Sequence, residues 1–379
     1  MRRKQDNKTL FFWCCFALIF FATLYFRLDA TLSLTQLRLS EGLTVYQPWA
    51  GALIFTVLLL ALQRIVARIS RFPSSLSLLT YFPSAALLVV MSSFVGKPAR
   101  TPLIVTSVLS LAWLCFFFLT LRRPDTSMSQ RPRRTDWFCD IVCFFLTVFY
   151  IGAMCDANDV RNYEVRVARL INEKAYGAAL KVGDRSLAES QYLTALRSFA
   201  AAHSEEGLGN RLFRFPLPAD ASARTLLLLR ADSTRILFRP DSLFAELALP
   251  PYDGKISPIK YLAQSSRLDS SRVARDYYLC ALLLNRDLET FASECPRFYR
   301  VPDSLPRHYA EALILYDRFH PEYELKGLDS HIVANYWDFK EKEKSISSPV
   351  ARCNLLRREF GNTYWWYYFY NKVAGKLSE

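Results

Sequence analysis

The sequence is poor in the residues that most enzyme chemistry requires. It carries four histidines in 379 residues, His203, His308, His320 and His331, and their scatter matches no metal-binding motif. There is no HExxH, no glycine-rich phosphate loop and no serine nucleophile elbow. No metal, no cofactor and no catalytic residue is therefore expected. Long apolar runs are also missing from the whole stretch after Met154. That half cannot cross a bilayer, and its mixed composition is that of a soluble domain.

The first half has what the second lacks. Five apolar runs, at about 10–26, 49–65, 76–95, 102–121 and 137–154, each come close to the roughly 20 residues that a helix needs to cross the hydrocarbon core. The first follows Met1-Arg2-Arg3-Lys4 but has no small-x-small cleavage site near Thr23–Arg27, so it reads as an uncleaved membrane helix rather than a signal peptide. The second must end near an interface so that Arg64 can reach the headgroups. The last run, WFCDIVCFFLTVFYIGAM, divides the chain into a transmembrane domain, 1–154, and an outer domain, 155–379.

Charge supports that division. Lys and Arg number 16 against 6 Asp and Glu through residue 154, a net of +10, and 32 against 29 beyond it, a net of +3. The basic excess thus belongs to the membrane half, where it meets anionic headgroups, and nucleic acid is excluded as a partner. The N-terminus and the second and fourth connections hold 12 basic residues, against 4 in the first and third. By the positive-inside rule the N-terminus is cytoplasmic, and five spans then put the outer domain on the extracytoplasmic side.

Asp140 lies one turn into the last span. An ionisable group there is either functional or, near a helix end and close to Arg133 and Arg134, solvated at headgroup level, and the second is expected. Six cysteines fall in or beside spans as packing material. Cys280, Cys295 and Cys353 belong to the outer domain. Cys280 and Cys295 sit on the two arms of one helical hairpin and are read either as a bridge or as two buried free thiols, the latter being expected.

The outer domain reads as helices over 159–174, 178–187, 191–202, 272–284, 287–295, 307–319, 330–344 and 350–372, from apolar residues at helical spacing. Short apolar runs at Leu226–Arg230 and Ile236–Arg239 fit either a strand hairpin or a bent helix, and Pro240, Pro250, Pro251 and Pro258 mark loops. Turns at 172–174 and 205–209 lie about one tetratricopeptide period apart, and Tyr176 and Ala179 occupy that repeat's aromatic and small positions. The fold class expected is all-α, a bundle of about five transmembrane helices followed by a tetratricopeptide-like helical-hairpin domain. His308 and Glu311, three apart, could be part of a metal site, but an exposed helix-face pair is the ordinary explanation.

The chain ends in Thr363-Tyr364-Trp365-Trp366-Tyr367-Tyr368-Phe369-Tyr370. A helix with rings all round must bury more than one face. It either closes the domain core, docks on the membrane, or presents Tyr364, Trp365, Trp366, Tyr367, Tyr368 and Tyr370 as an interaction surface for a sugar or peptide.

The short spans, then ARLINEKAYGAALKVGDRSL, YLTALRSFAAAH, GLGNRLFRFP, LPRHYAEALILYDRF and TYWWYYFY, resemble uncharacterised multi-span membrane proteins of Bacteroides-type bacteria with an extracytoplasmic tetratricopeptide-like domain. The resemblance implies a bacterial inner-membrane location with a periplasmic outer domain, and supplies no catalytic residue. Two functions fit: a membrane-anchored scaffold for a protein partner of the cell envelope, or an envelope enzyme or transport component with its site among the spans. Spans almost free of ionisable residues favour the scaffold.

Overall fold

The structure, a computed structural model, describes residues 2–41, 43–70, 72, 74–93, 100–122, 134–155, 159–228, 237–238, 240–269, 271–300, 305–323, 327 and 329–378. It is helical, with no strand among the described residues. Two compact units result, Met1–Asn162 and Tyr163–Glu379. Their boundary falls a few residues beyond the expected one.

The first unit contains α1 (Arg2–Ala22), a π-helical turn (Thr23–Arg27), α2 (Asp29–Leu39), α3 (Pro48–Ile69), a 3-10 segment (Ser74–Tyr81), α4 (Phe82–Ser92), α5 (Arg100–Leu121) and α6 (Arg134–Met154). Among the described residues four stretches are long and apolar enough to cross a membrane: Lys8–Arg27, Pro48–Ile69, Thr101–Leu121 and Trp137–Met154. The remaining expected span, 76–95, is a shorter apolar helical stretch, Leu76–Ser92. Leu76 leaves the helical region at φ −125°, ψ 19°, and Pro83 lacks the N–H that would continue the preceding turn. Its helix is therefore part 3-10 and part α.

Aromatic and aliphatic side chains fill the centre of this unit: Phe16, Phe20, Leu24, Leu59, Ala85 and Leu88 are buried together. Phe16 stacks on Tyr81 with centroids 3.9 Å apart. Polar side chains join the helices at both ends. At one end Gln63 Nε2 donates to Thr80 Oγ1 (3.1 Å), and midway along α3 Ser84 Oγ donates to the Leu59 carbonyl (2.7 Å). At the other end Tyr150 donates to Thr106 Oγ1 (2.8 Å), and Arg27 to the Gly152 carbonyl (3.0 Å).

The second unit contains α7 (Asp159–Asn172), α8 (Tyr176–Lys181), α9 (Gln191–Ala202), α10 (Leu208–Arg211), α11 (Pro240–Glu246), α12 (Pro258–Leu268), α13 (Arg272–Leu284), α14 (Leu288–Phe298), α15 (Arg307–Phe319), α16 (Ser330–Ser345), α17 (Pro349–Phe360) and α18 (Tyr364–Ser378). One hydrophobic core runs through it, from Val167 and Leu196 through Leu279, Phe291 and Leu313 to Trp365. α8 is shorter than the expected 178–187 because Val182 is extended and Gly183 takes φ +64°. Pro240 and Pro258, read as loop markers, instead open α11 and α12, where a missing N–H costs nothing. Of the runs at Leu226–Arg230 and Ile236–Arg239 the described residues are Leu226, Leu227, Leu228, Leu237 and Phe238; none is in a strand, and Leu226 closes a 3-10 turn, Ala223–Leu226.

Three helix ends share one device. Lys174, Ala248 and Arg286 all take positive φ, at 58°, 51° and 60°. In each case the next N–H reaches back five residues: Ala175 to Leu170 O, Leu249 to Phe244 O and Asp287 to Leu282 O. These are Schellman stops built without glycine. A further stop splits the expected helix 350–372 in two. Gly361 donates to Arg357 O at 3.0 Å, and a Cβ at this glycine would stand 2.3 Å from that same carbonyl. Thr363 Oγ1 then accepts from Trp366 N (3.3 Å) and so starts α18 as a new helix.

Candidate functional site

Thr363 directs α18 across the second unit, and its first turn is enclosed. Tyr364, Trp365, Trp366 and Tyr367 are buried, Trp365 completely, while Tyr368, Phe369 and Tyr370 are half-buried. Of the six rings named as a candidate interaction surface, only Tyr368 and Tyr370 keep appreciable access to solvent. Burial matches the core alternative for the other four. Tyr336 and Phe339 of α16 surround the Trp365 ring.

The hydroxyls of this helix do specific work for other elements. The last carbonyls of α13 have no partner within their own helix. Tyr367 donates to Leu284 O (2.7 Å) and Ala221 O (3.2 Å), and Tyr364 to Leu283 O (3.3 Å). Burial pushes both phenols above their usual range, so they stay donors. Arg286, held by its left-handed turn, lies over the Tyr367 ring at 5.0 Å and donates to Tyr367 O. Asn371 donates to Pro218 O (2.9 Å).

Two buried carboxylates complete the arrangement. Glu311 is fully buried, and its Oε2 accepts from Tyr364 N (2.7 Å), at the positive end of α18. The same oxygen meets His308 Nδ1 at 2.9 Å, while Oε1 accepts from Arg307 Nε at 2.8 Å. This corrects the expectation of an exposed helix-face pair. α15 turns both residues inward because the N-terminus of α18 supplies donors there. With both oxygens engaged, Glu311 is a cap and an ion-pair partner rather than a metal ligand.

Asp276 of α13 is the second. Its Oδ1 accepts from Tyr299 (2.5 Å) and Tyr309 (3.0 Å), and Arg272 Nε stands 3.7 Å from Oδ2. Burial raises the Asp276 carboxyl above the usual carboxylate range, against the two phenol hydrogen bonds and the arginines. Cys280 Sγ lies 3.4 Å from the Tyr309 hydroxyl. Cys280 and Cys295 are buried free thiols. Burial pushes Cys295 up to about 12 and Cys280 well above its ordinary value, so neither is a ready nucleophile. Sequence reading missed Asp276; the available signal was a lone acid inside the apolar face of α13.

In the first unit Asp140 is buried, contrary to the expected solvated position. Lys8 pairs with its Oδ2 and lies over the Trp137 ring at 5.4 Å, and Ser77 Oγ approaches Oδ1 at 3.3 Å. The lysine stem from the start of α1 brings the charge to the acid, which makes burial affordable. The expected neighbours were Arg133, which lies outside the described residues, and Arg134, whose side chain does too. Among the described residues no group of three or more His, Cys, Asp or Glu is placed to hold a metal.

Several clefts open on the second unit, and two of them are lined by both acidic and basic side chains. One, of about 470 Å³, lies between Lys174, Tyr176, Lys181 and His203 and is also lined by Glu205 and Glu206. The other, about 600 Å³, lies between Asp220, Asn285, Arg286 and Lys372. Neither brings a nucleophile to a base.

Residues 260–371 match the model of a family of unknown function, DUF6057. That stretch holds Asp276, Glu311 and most of α18. No curated protein and no solved structure matches the chain.

Proposed function

We propose that this chain is an integral membrane protein that crosses the cytoplasmic membrane five times and presents its second unit outside, as an interaction or assembly scaffold of the cell envelope. The observation that carries the reading is the course of the short fourth helix. It starts beside Asp140, at the beginning of α6, and beside Gln63, near the end of α3. The next helix, α5, starts near Thr106, against Tyr150 at the far end of α6. Those two fixed points support a crossing of the bundle by the chain between them. Its residues 77–92 reach about 27 Å, since 3-10 turns rise about 2.0 Å and α turns about 1.5 Å per residue. The hydrocarbon core is about 30 Å thick.

An odd number of crossings and the 12-to-4 bias of basic residues together favour a cytoplasmic N-terminus and a periplasmic second unit. Helical hairpins such as α13–α14, stacked against further helices, are the kind of surface on which tetratricopeptide-like scaffolds hold peptides. The scaffold claim is tested by crosslinking in intact cells, solubilising in detergent and purifying either the full chain or a chain ending at residue 162. Defined envelope proteins retained only by the full chain are the expected outcome; identical profiles would overturn it.

One observation favours a second reading. Lys8, Asp140, Ser77, Thr80 and Gln63 form a polar string across four membrane elements, with Thr80 Oγ1 donating to Ser77 O at 2.8 Å. Intramembrane charges mark ion or proton paths in transport proteins, so a transport component is the alternative. It requires Asp140→Asn to abolish a flux that the scaffold reading does not need.

A further inference from the structure

The turn between α2 and α3 has its side chains arranged in reverse of an ordinary water-facing loop. Its polar groups bond to one another: Gln36 Nε2 donates to Thr44 Oγ1 (3.0 Å), Thr44 N to Ser40 Oγ (3.3 Å) and Leu43 N to Ser40 O (2.9 Å). Its apolar groups point out, with Leu39 82%, Leu43 88%, Val45 74% and Trp49 64% exposed. Tyr46 ties the turn to α3: the tip of its ring packs on the bare Cα of Gly51, where an added Cβ would stand 2.3 Å from it and force the ring to move. The outward residues are thus held in place rather than left loose.

Single exposed apolar residues need no explanation, but four close together in an ordered turn do. What covers them is indicated by the residues that follow. Trp49 opens α3, and the same helix face continues through the exposed Leu53, Ile54, Val57 and Leu58. That face belongs to one of the four stretches able to cross a membrane. Tryptophan at the end of such a face sits at headgroup level. α2, at 11 residues, is about 16 Å long and too short to span. It packs by Leu32 and Leu34 and leaves Arg38 exposed toward its end.

We infer that the α2–α3 turn is a membrane-interface anchor, in which Leu39, Leu43 and Val45 insert among the lipid headgroups and upper acyl chains and Trp49 marks the boundary. This rests on the reading of α3 as a membrane span. The leaflet is the one at the end of the bundle where α6 finishes, because Arg27, just before α2, bonds the Gly152 carbonyl. Apolar insertion, an interfacial tryptophan and a basic residue at the rim are the features by which short segments hold to a bilayer surface without crossing it.

The full-length protein in phosphatidylcholine vesicles tests it. Photoreactive benzoylphenylalanine is placed, one site at a time, at position 43, at position 45, at position 57 in the middle of α3, and at position 255, where Lys255 is exposed on the second unit. After illumination, mass spectrometry reads phospholipid adducts. Adducts at 43, 45 and 57 but not at 255 are expected. An adduct at 57 with none at 43 and 45, or with 43 and 45 joined instead to a second copy of the chain, overturns the anchor and leaves the span standing. No lipid adduct at 57 overturns the span and the anchor with it.

Discussion

The two units satisfy their buried polar groups in different ways. In the first, hydroxyls mostly turn back on their own helix: Thr23 to Ile19 O, Ser33 to Asp29 O, Thr56 to Ala52 O and Thr147 to Cys143 O. In the second, the buried polar groups link parts of the chain that are far apart, as Glu311 does with Tyr364 and Asn371 with Pro218. Where no water is available on the outside, a helix that satisfies itself can move against its neighbours without leaving an orphan group. A water-surrounded core can instead use polar groups to fix which helix lies where. The rings follow the same division. Phe118, Phe138 and Phe149 of the spans face outward, whereas Trp365 and Tyr364 are enclosed.

The largest expected effect breaks this contrast at its aromatic residues. Trp365→Ala with Trp366→Ala opens large cavities in the second unit, each costing about 3–5 kcal/mol, comparable with the whole stability of an ordinary domain. Unfolding of the full chain in detergent, followed by circular dichroism, should show the second unit unfolded or melting far lower. Phe118→Ala, on an outward face, should leave the same curve unchanged. Equal losses from both would erase the distinction between the units.

Glu311→Ala comes next. It strips Arg307, His308 and the first N–H of α18 of one shared acceptor, and breaking such a buried arrangement costs about 3–5 kcal/mol. Glu311→Gln, which keeps an acceptor for Tyr364 N, should lose less in urea unfolding. Asp140→Ala removes the partner of Lys8 in the first unit, and the loss should be smaller, because Lys8 keeps 17% exposure and can reach the interface.

A pH effect separates Asp276 from these. Its carboxyl is raised in the folded state, chiefly by burial. The fold therefore favours the protonated form, and the stability associated with it is present in acid and lost as pH rises through the folded value. Asp276→Asn keeps an oxygen for Tyr299 and Tyr309 and has no charge to bury. Relative to wild type, its denaturation midpoint should move up as pH is raised from the acid range to neutrality. A difference that does not change with pH would show that Arg272 and the phenols fully offset the burial. The smallest effect is in the first unit, where the Gln63–Thr80 coupling in a double-mutant cycle should be about 0.6 kcal/mol if the pair lies in lipid, the usual size for interhelical hydrogen bonds there.

The sequence was most legible where one periodicity ran undisturbed. α9, α13 and α15 begin and end at the expected residues, since Ser190 and Ser271 cap the first two and apolar spacing continues through each. Helix ends were less legible because Lys174, Ala248 and Arg286 take a conformation ordinarily assigned to glycine. The stop in the C-terminal run was legible as Gly361-Asn362-Thr363, a glycine followed by two poor helix formers, but the apolar spacing on either side of it reads as one helix. The candidate site was legible as an aromatic run, but not as a core. Burial of His308 and Glu311 depends on α18 arriving from 53 residues away, and no local pattern carries that. Asp140 failed for the same reason, since its partner Lys8 comes from the opposite end of the unit.

The proposed topology puts the second unit outside the cytoplasmic membrane. With the native cysteines replaced, one cysteine is introduced at position 255, exposed on the second unit, or at position 129, in the connection before α6. Intact spheroplasts are then treated with a membrane-impermeant thiol reagent. Labelling at 255 with protection at 129 until lysis is the expected result, and labelling at 129 with protection at 255 would contradict it.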